Sequence, residues 1–179
     1  MAAGVKWKSG GNGKLIAKLK KIGNGGKKTK LTAGFYAGSK YEDGTSVAQV
    51  AAWNNFGTVR KDGSEFIPPR PFFNDAINEN KDKWSKGLAQ RLKQTNLDVE
   101  NSMKRLGEQM RADIQDKIEH NNYEPNSEVT INGVRHKSKS GKVFEIKGKG
   151  INRPLRNTWN MRDSVGYQYN NEEPQIANN

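Results

Sequence analysis

The sequence predicts an α+β fold: a small mixed or antiparallel sheet packed against two long amphipathic helices, with a β-hairpin extension and a flexible N-terminal arm. Two windows carry apolar residues at helical spacing, Phe73, Ile77, Trp84, Leu88 and Leu92 in the first and Val99, Met103, Leu106, Met110, Ile114 and Ile118 in the second. Stripes of this kind belong to helices that lay one face on a core. Shorter runs rich in Leu, Thr, Val, Phe and Tyr, bounded by glycines and polar turns, supply the strands. The opening residues 1–13 are rich in Gly, Lys and Asn and read as an arm.

In chain order, residues 14–22 (KLIAKLKKI) place Leu15, Ile16, Leu19 and Ile22 on one helical face, and the Gly-Asn-Gly-Gly run at 23–26 stops that helix. Residues 30–38 (KLTAGFYAG) read as a strand. Ser46 and Gln49 make a capping box that starts a short helix reaching about Asn55, with Gly57 as the left-handed residue that ends it. Residues 60–64 (RKDGS) are a charged turn with Asp-Gly at the tip. Pro68, Pro69, Arg70 and Pro71 are extended, because a residue before a proline is pushed out of the helical region. Pro71 suits the first turn of the first long helix, where its missing N–H is not needed. Residues 121–127 break the second long helix. Residues 128–148 read as β-structure with Asn132-Gly133 and Ser140-Gly141 as hairpin turns, and 157–169 as one helical turn followed by a strand over 165–169. The organisation is a basic arm at 1–13, one domain over 14–169 with a hairpin extension at 128–150, and a polar tail at 170–179. Four or five strands are expected, and no repeat of 20–50 residues is visible.

Of the 179 residues only 32% are hydrophobic, against 28% charged and 19 glycines, and the mean hydropathy is −0.98. That is lean for a stand-alone globule. Part of the chain is expected to be disordered alone or ordered by neighbouring subunits. No apolar run reaches 18 residues, so no membrane span is expected. The N-terminus lacks the apolar stretch of a secretory signal, and the absence of cysteine excludes disulfide and thiolate chemistry. The net charge of +12 points to nucleic acid or an acidic protein surface as neighbour. Ten lysines and no acid lie in residues 1–40, and seven basic residues against Glu145 lie in 135–153.

Chemistry is sparse. His120 and His136 have no carboxylate at ligand spacing, no phosphate-binding glycine loop is present, and no serine has a triad context. Glu145 and Lys147 have the acid-x-lysine spacing of some metal-dependent nucleases, but Glu79 and Lys81 repeat it inside a helix. Trp7, Phe35, Tyr36, Phe144 and Trp159 are aromatic residues among basic ones, better suited to a core than to stacking on bases. No enzyme activity, metal or cofactor is expected.

Residues 43–73 (DGTSVAQVAAWNNFGTVRKDGSEFIPPRPFF) resemble a tailed-bacteriophage family of tail completion, neck or virion morphogenesis (minor tail) proteins. The matching positions are Val47, Ala48, Ala51, Asn54, Phe56, Gly57 and Thr58, then Ile67, Pro68, Arg70, Pro71 and Phe72. Residues 14–19 resemble that family's N-terminal helix. Pro154, Leu155 and Thr158, followed by Met161 and Ser164-Val165, resemble its C-terminal ending. Asn55 stands where the family has Glu, and Trp159 where it has glycine.

The resemblance implies a structural virion protein in the neck or at the head-proximal end of the tail, a terminator or head–tail joining ring through which DNA passes. The expected partners are further copies of the chain (a hexamer first, a dodecamer second), the adjoining connector and tail-tube proteins, and genomic DNA bound without sequence specificity. Assembly in the host cytoplasm and residence in the virion follow from it. Phe56, Gly57, Thr58, Pro69, Arg70, Pro71 and Phe72 are the motif or subunit-interface candidates, with Arg70 held equally by a neighbour or by its own chain. Arg135, Lys137, Lys139, Lys142, Lys147 and Lys149 are the DNA-channel candidates, because a hairpin can project them rigidly towards an axis, while the lysine-rich arm lies on an adjacent acidic ring. The alternative is a basic DNA-binding accessory protein without ring assembly, for which no reading module such as a helix-turn-helix is present.

Overall fold

A computed structural model describes Ala17, Lys20 and residues 29–138, 140–150, 152–156 and 159–176. Ala17 and Lys20 are helical and exposed; the arm over 1–13 and most of the helix expected over 14–22 lie outside the described residues. The fold is α+β, with small antiparallel sheets packed against helices.

The central sheet has the order β1-β6-β7, from β1 (Leu31–Phe35), β6 (Val165–Tyr169) and β7 (Gln175–Ile176). Leu31 pairs with Tyr169 and Phe35 with Val165, and Tyr167 pairs with Gln175. The tail expected over 170–179 therefore contributes an edge strand, and Glu172 beside it pairs with Lys104 at 2.9 Å. Helices α2 (Phe72–Gln94) and α3 (Val99–Glu119) run antiparallel, with α3 lying between α2 and the sheet. Their seam carries Lys83–Asp113 at 2.8 Å, Lys117–Glu79 at 2.6 Å and the Trp84 indole N–H donating to Asp113 at 2.7 Å. Asn96 and Leu97 take positive φ in the turn, and Asp98 caps α3 by accepting from the Asn101 amide.

The expected stripes are covered over α3 and over Trp84, Leu88 and Leu92 of α2, and the first turn of α2 is shifted by one residue. On α2 the buried residues are Phe72, Ala76 and Trp84, while Phe73 is half-buried and Ile77 exposed. Ala76 is a weak signal in a periodicity count, yet its small side chain lets the helix approach the core. On α3, Ser102 and Gly107 join Leu106, Ile114 and Ile118, because that helix has a sheet on one side and a helix on the other. The core gathers Val47, Ala51, Phe72, Ala76, Ile114, Ile118, Met161 and Val165, with the Phe35 ring edge-on to Phe72 at 6.2 Å.

Two hairpins stand apart from this body. Helix α1 (Val47–Phe56) leads through Gly57 into β2 (Thr58–Val59) and β3 (Glu65–Ile67). Helix α4 (Glu128–Asn132) leads through Gly133 into β4 (Gly133–Lys137) and β5 (Val143–Lys147). A last turn of helix, α5 (Asn160–Asp163), precedes β6. Asn132-Gly133 thus closes a helical turn and is not the expected hairpin turn; Ser127 caps that turn by accepting from Thr130. Seven strands form among the described residues rather than four or five, the surplus being pieces too short to show alternation.

Ser46 does start α1, but its side chain makes no capping hydrogen bond; it sits in a bridge to Lys40, and the Val47 amide donates to Ser39. One turn geometry recurs at 41–45, 60–64 and 138–142. The first residue's N–H donates to the fifth residue's carbonyl, and the fourth-position glycine donates back to the first. Asp43 and Asp62 accept from the residue after that glycine, which draws both carboxyl groups below the usual range.

Candidate interaction surfaces

Residues 54–74 form a bracket joining α1 to the start of α2. Pro71 occupies the N-cap of α2 and has no side-chain acceptor to offer. Asn55, buried on the preceding helix, supplies it: its carbonyl oxygen accepts from the amides of Phe73 at 3.0 Å and Asn74 at 3.4 Å. An oxygen acceptor at a helix N-terminus satisfies amides that have no partner within the helix. Asn54 takes the next step, accepting the Arg70 backbone N–H at its own carbonyl and the Arg70 guanidinium at its side chain.

Arg70 is 5% exposed and donates to four acceptors of its own chain. Nε donates to the Glu124 carbonyl at 3.0 Å, Nη1 to Asn54 at 3.0 Å, and Nη2 to the Pro125 carbonyl at 3.2 Å and Asn126 at 3.4 Å. Burial pulls its pKa down, against the attraction of Glu124 and Glu65. Of the two places held open for Arg70, the intrachain one is occupied. Phe72 is likewise fully buried and belongs to the core. Pro69 and Pro71 frame Arg70, and Thr58 pairs with Ile67 in the first hairpin. Gly57 has φ 72° and ψ 173°, and a Cβ there would lie 2.9 Å from the Ile67 carbonyl oxygen. Its backbone is in the glycine-only region beyond the left-handed helix, not in the helical left-handed well. Phe56 is 71% exposed.

Through Glu124 to Asn126 the Arg70 bracket also holds the loop that precedes the second hairpin, and Tyr123 of that loop donates its hydroxyl to Asp75 of α2 at 2.5 Å. The strand residues of the second hairpin are exposed from Val134 onward. Its register pairs Val134 with Ile146 and His136 with Phe144, which makes one apolar face. Arg135 opposite Glu145, Lys137 opposite Val143, and Lys147 make the other. Three DNA-channel candidates, Arg135, Lys137 and Lys147, therefore share a face. Lys142 lies over the Phe144 ring at 5.6 Å, Lys149 leaves the hairpin towards a cleft, and Lys139 lies outside the described residues.

That cleft, of about 810 Å³, runs between α1 and the base of the second hairpin, with Trp53, Tyr41, Trp159, Lys149 and Arg153 in its walls. Trp159 holds φ at 58°, a left-handed value that glycine adopts more readily than a bulky side chain. Its ring is clamped by Arg162 at 4.5 Å and Arg156 at 5.8 Å. His120 bonds Asp116, His136 faces Phe144, and no three His, Cys, Asp or Glu side chains gather for a metal among the described residues. Phe35 is packed in the core and Tyr36 bonds Thr32, whereas Phe144 and Trp159 lie at surfaces. No helix is long and apolar enough to cross a membrane among the described residues.

No protein-family model matches the chain, and no curated protein and no solved structure matches it.

Proposed function

We propose that the protein is a non-enzymatic structural subunit of a tailed-phage particle, forming a ring in the neck or at the head-proximal end of the tail. The observation that carries this reading is the second hairpin, which projects from the body with Arg135, Lys137 and Lys147 on one face and an apolar face behind. A basic face without a base-reading element suits DNA that slides past, because phosphate contacts carry no sequence information. The order of the short motifs along the chain, and a hydrophobic content of 32%, support the same reading. Six copies carrying +12 each would make an extreme field if all of it lined a channel, so only part of the charge faces the lumen.

Electron micrographs and native mass of the purified full chain test the reading. Closed rings, six-fold first, are the expected result. A monomer that binds DNA tightly and never forms rings would favour the accessory-protein alternative. Metal-dependent cleavage of plasmid DNA that disappears in Glu145→Ala would replace both with a nuclease.

A further inference from the structure

Ten large hydrophobic side chains are exposed among the described residues, and nine of them lie on the two helix–glycine–hairpin units. The first unit carries Trp53, Phe56, Val59 and Phe66, with Phe56 and Val59 each 71% exposed and Phe66 62%. The second carries Val129, Val134, Val143, Phe144 and Ile146, with Phe144 51% and Ile146 57% exposed. The two units are built alike. Each is a helix ended by a glycine of positive φ and ψ near 180°, whose Cβ position is closed off by an isoleucine carbonyl on the returning strand, Ile67 or Ile146. Each then turns through a glycine at its tip, Gly63 or Gly141, with the same pair of hydrogen bonds. An isolated two-stranded hairpin is marginal in water, so units kept this apolar and this exposed need a cover.

We infer that the two units are the two halves of a head-to-tail contact between copies, the second hairpin of one copy seated on the first unit of the next. This rests on the ring reading, since a cyclic ring requires every copy to present two different, mutually fitting surfaces. Charge selects the pairing. The second hairpin carries Arg135, Lys137, Lys142 and Lys147 against Glu145, so two such hairpins face to face repel. On the first hairpin Arg60 and Lys61 are balanced by Asp62 and Glu65, so it accepts the basic one without that penalty. Area agrees: with four or five large apolar side chains each exposing on the order of 100 Å², either unit offers roughly 400 Å² of apolar surface. Together that is about 800 Å², close to the apolar share of a standard interface of about 1,600 Å². Seated this way, the Val134–Phe144–Ile146 face of the second hairpin meets a neighbour, and its Arg135–Lys137–Lys147 face, which also bears Val143, stays free for DNA.

Phe56→Asp and Phe144→Asp test this in the full chain, by native mass and light scattering of each variant alone and of an equimolar mixture. Each variant alone has lost one half of the contact, and self-association should weaken at least ~30-fold. The mixture should form a one-to-one dimer and nothing larger, because only one intact pair of surfaces remains. The idea is overturned if Phe144→Asp assembles like the parent, if both variants still form rings, or if the mixture stays monomeric. In the second case the ring reading survives without it, whereas a parent chain that is itself monomeric removes both. The chain has no cysteine, so Phe56→Cys mixed with Phe144→Cys gives an independent readout. A disulfide between the two variants, absent from either alone, is expected; a disulfide in Phe56→Cys alone would mean a two-fold contact and would overturn the proposal.

Discussion

Arg70 shows how much one side chain carries. Its guanidinium satisfies two backbone carbonyls and two side-chain amides, from α1 and from the loop ahead of the second hairpin, in a place closed to water. Removing it strands those acceptors, which costs about 3 kcal/mol. Arg70→Ala should lower the urea midpoint accordingly, and Arg70→Lys should recover little, since one ammonium cannot reach acceptors that a planar fork spans. Protein of either variant that remains folded should still assemble. Lost assembly with an unchanged midpoint would return Arg70 to a subunit boundary. Asn55 acts at one remove in the same bracket, as the cap that Pro71 cannot provide, and Trp159 holds a glycine's conformation through two arginines against its ring.

Among the elements, α3 is the most constrained. Gly107 lies where the helix meets β6, and a Cβ there would run into the Tyr167 ring. Gly107→Ala gains about 1 kcal/mol of helix propensity. Against that, forcing a methyl group into a closed contact costs about 1–3 kcal/mol. Packing wins at this site, because the obstruction is the body of a ring wedged between helix and sheet rather than a flexible chain end. A net destabilisation of up to about 2 kcal/mol is expected from equilibrium unfolding in urea; a stabilised variant would mean that Tyr167 moves aside freely. On α2 the same geometry explains the shifted stripe: Phe72 is drawn inward by the bracket, and Phe73 is turned towards Phe35 at 6.4 Å.

For the molecule as a whole, stability depends on pH most clearly at the alkaline end. Tyr41, Tyr123 and Tyr167 are all pushed above the ordinary tyrosine value of 10.0, first by burial and then by Asp43, Asp75 and Glu108 respectively. The unfolded chain releases those protons near pH 10 while the folded one keeps them. Their contribution is therefore complete below pH 10 and declines as the pH rises beyond it. Denaturant midpoints should fall above pH 10, less steeply in Tyr123→Phe, and phenolate absorbance should show late-titrating tyrosines in the folded state only. Equal midpoints at pH 9 and above pH 10 would argue against the buried phenols.

Local features were legible without coordinates. The two long helices, the strand at Val165–Tyr169, the Asp-Gly and Ser-Gly tips and the positive φ of Gly57 all depend on residues within a few positions of one another. Periodicity and glycine report such short-range constraints directly. The partners of Arg70, 54 to 56 positions away in the loop before the second hairpin, were not legible, nor was the edge strand Gln175–Ile176. Burial of Phe72 rather than Phe73, and exposure of Phe56 beside a buried Asn55, likewise depend on which distant surface arrives at each side chain. Pattern along the chain encodes the form of an element; which of its faces is covered is set by long-range packing, where hydrophobic burial is non-directional and many pairings are near in energy until the whole core closes.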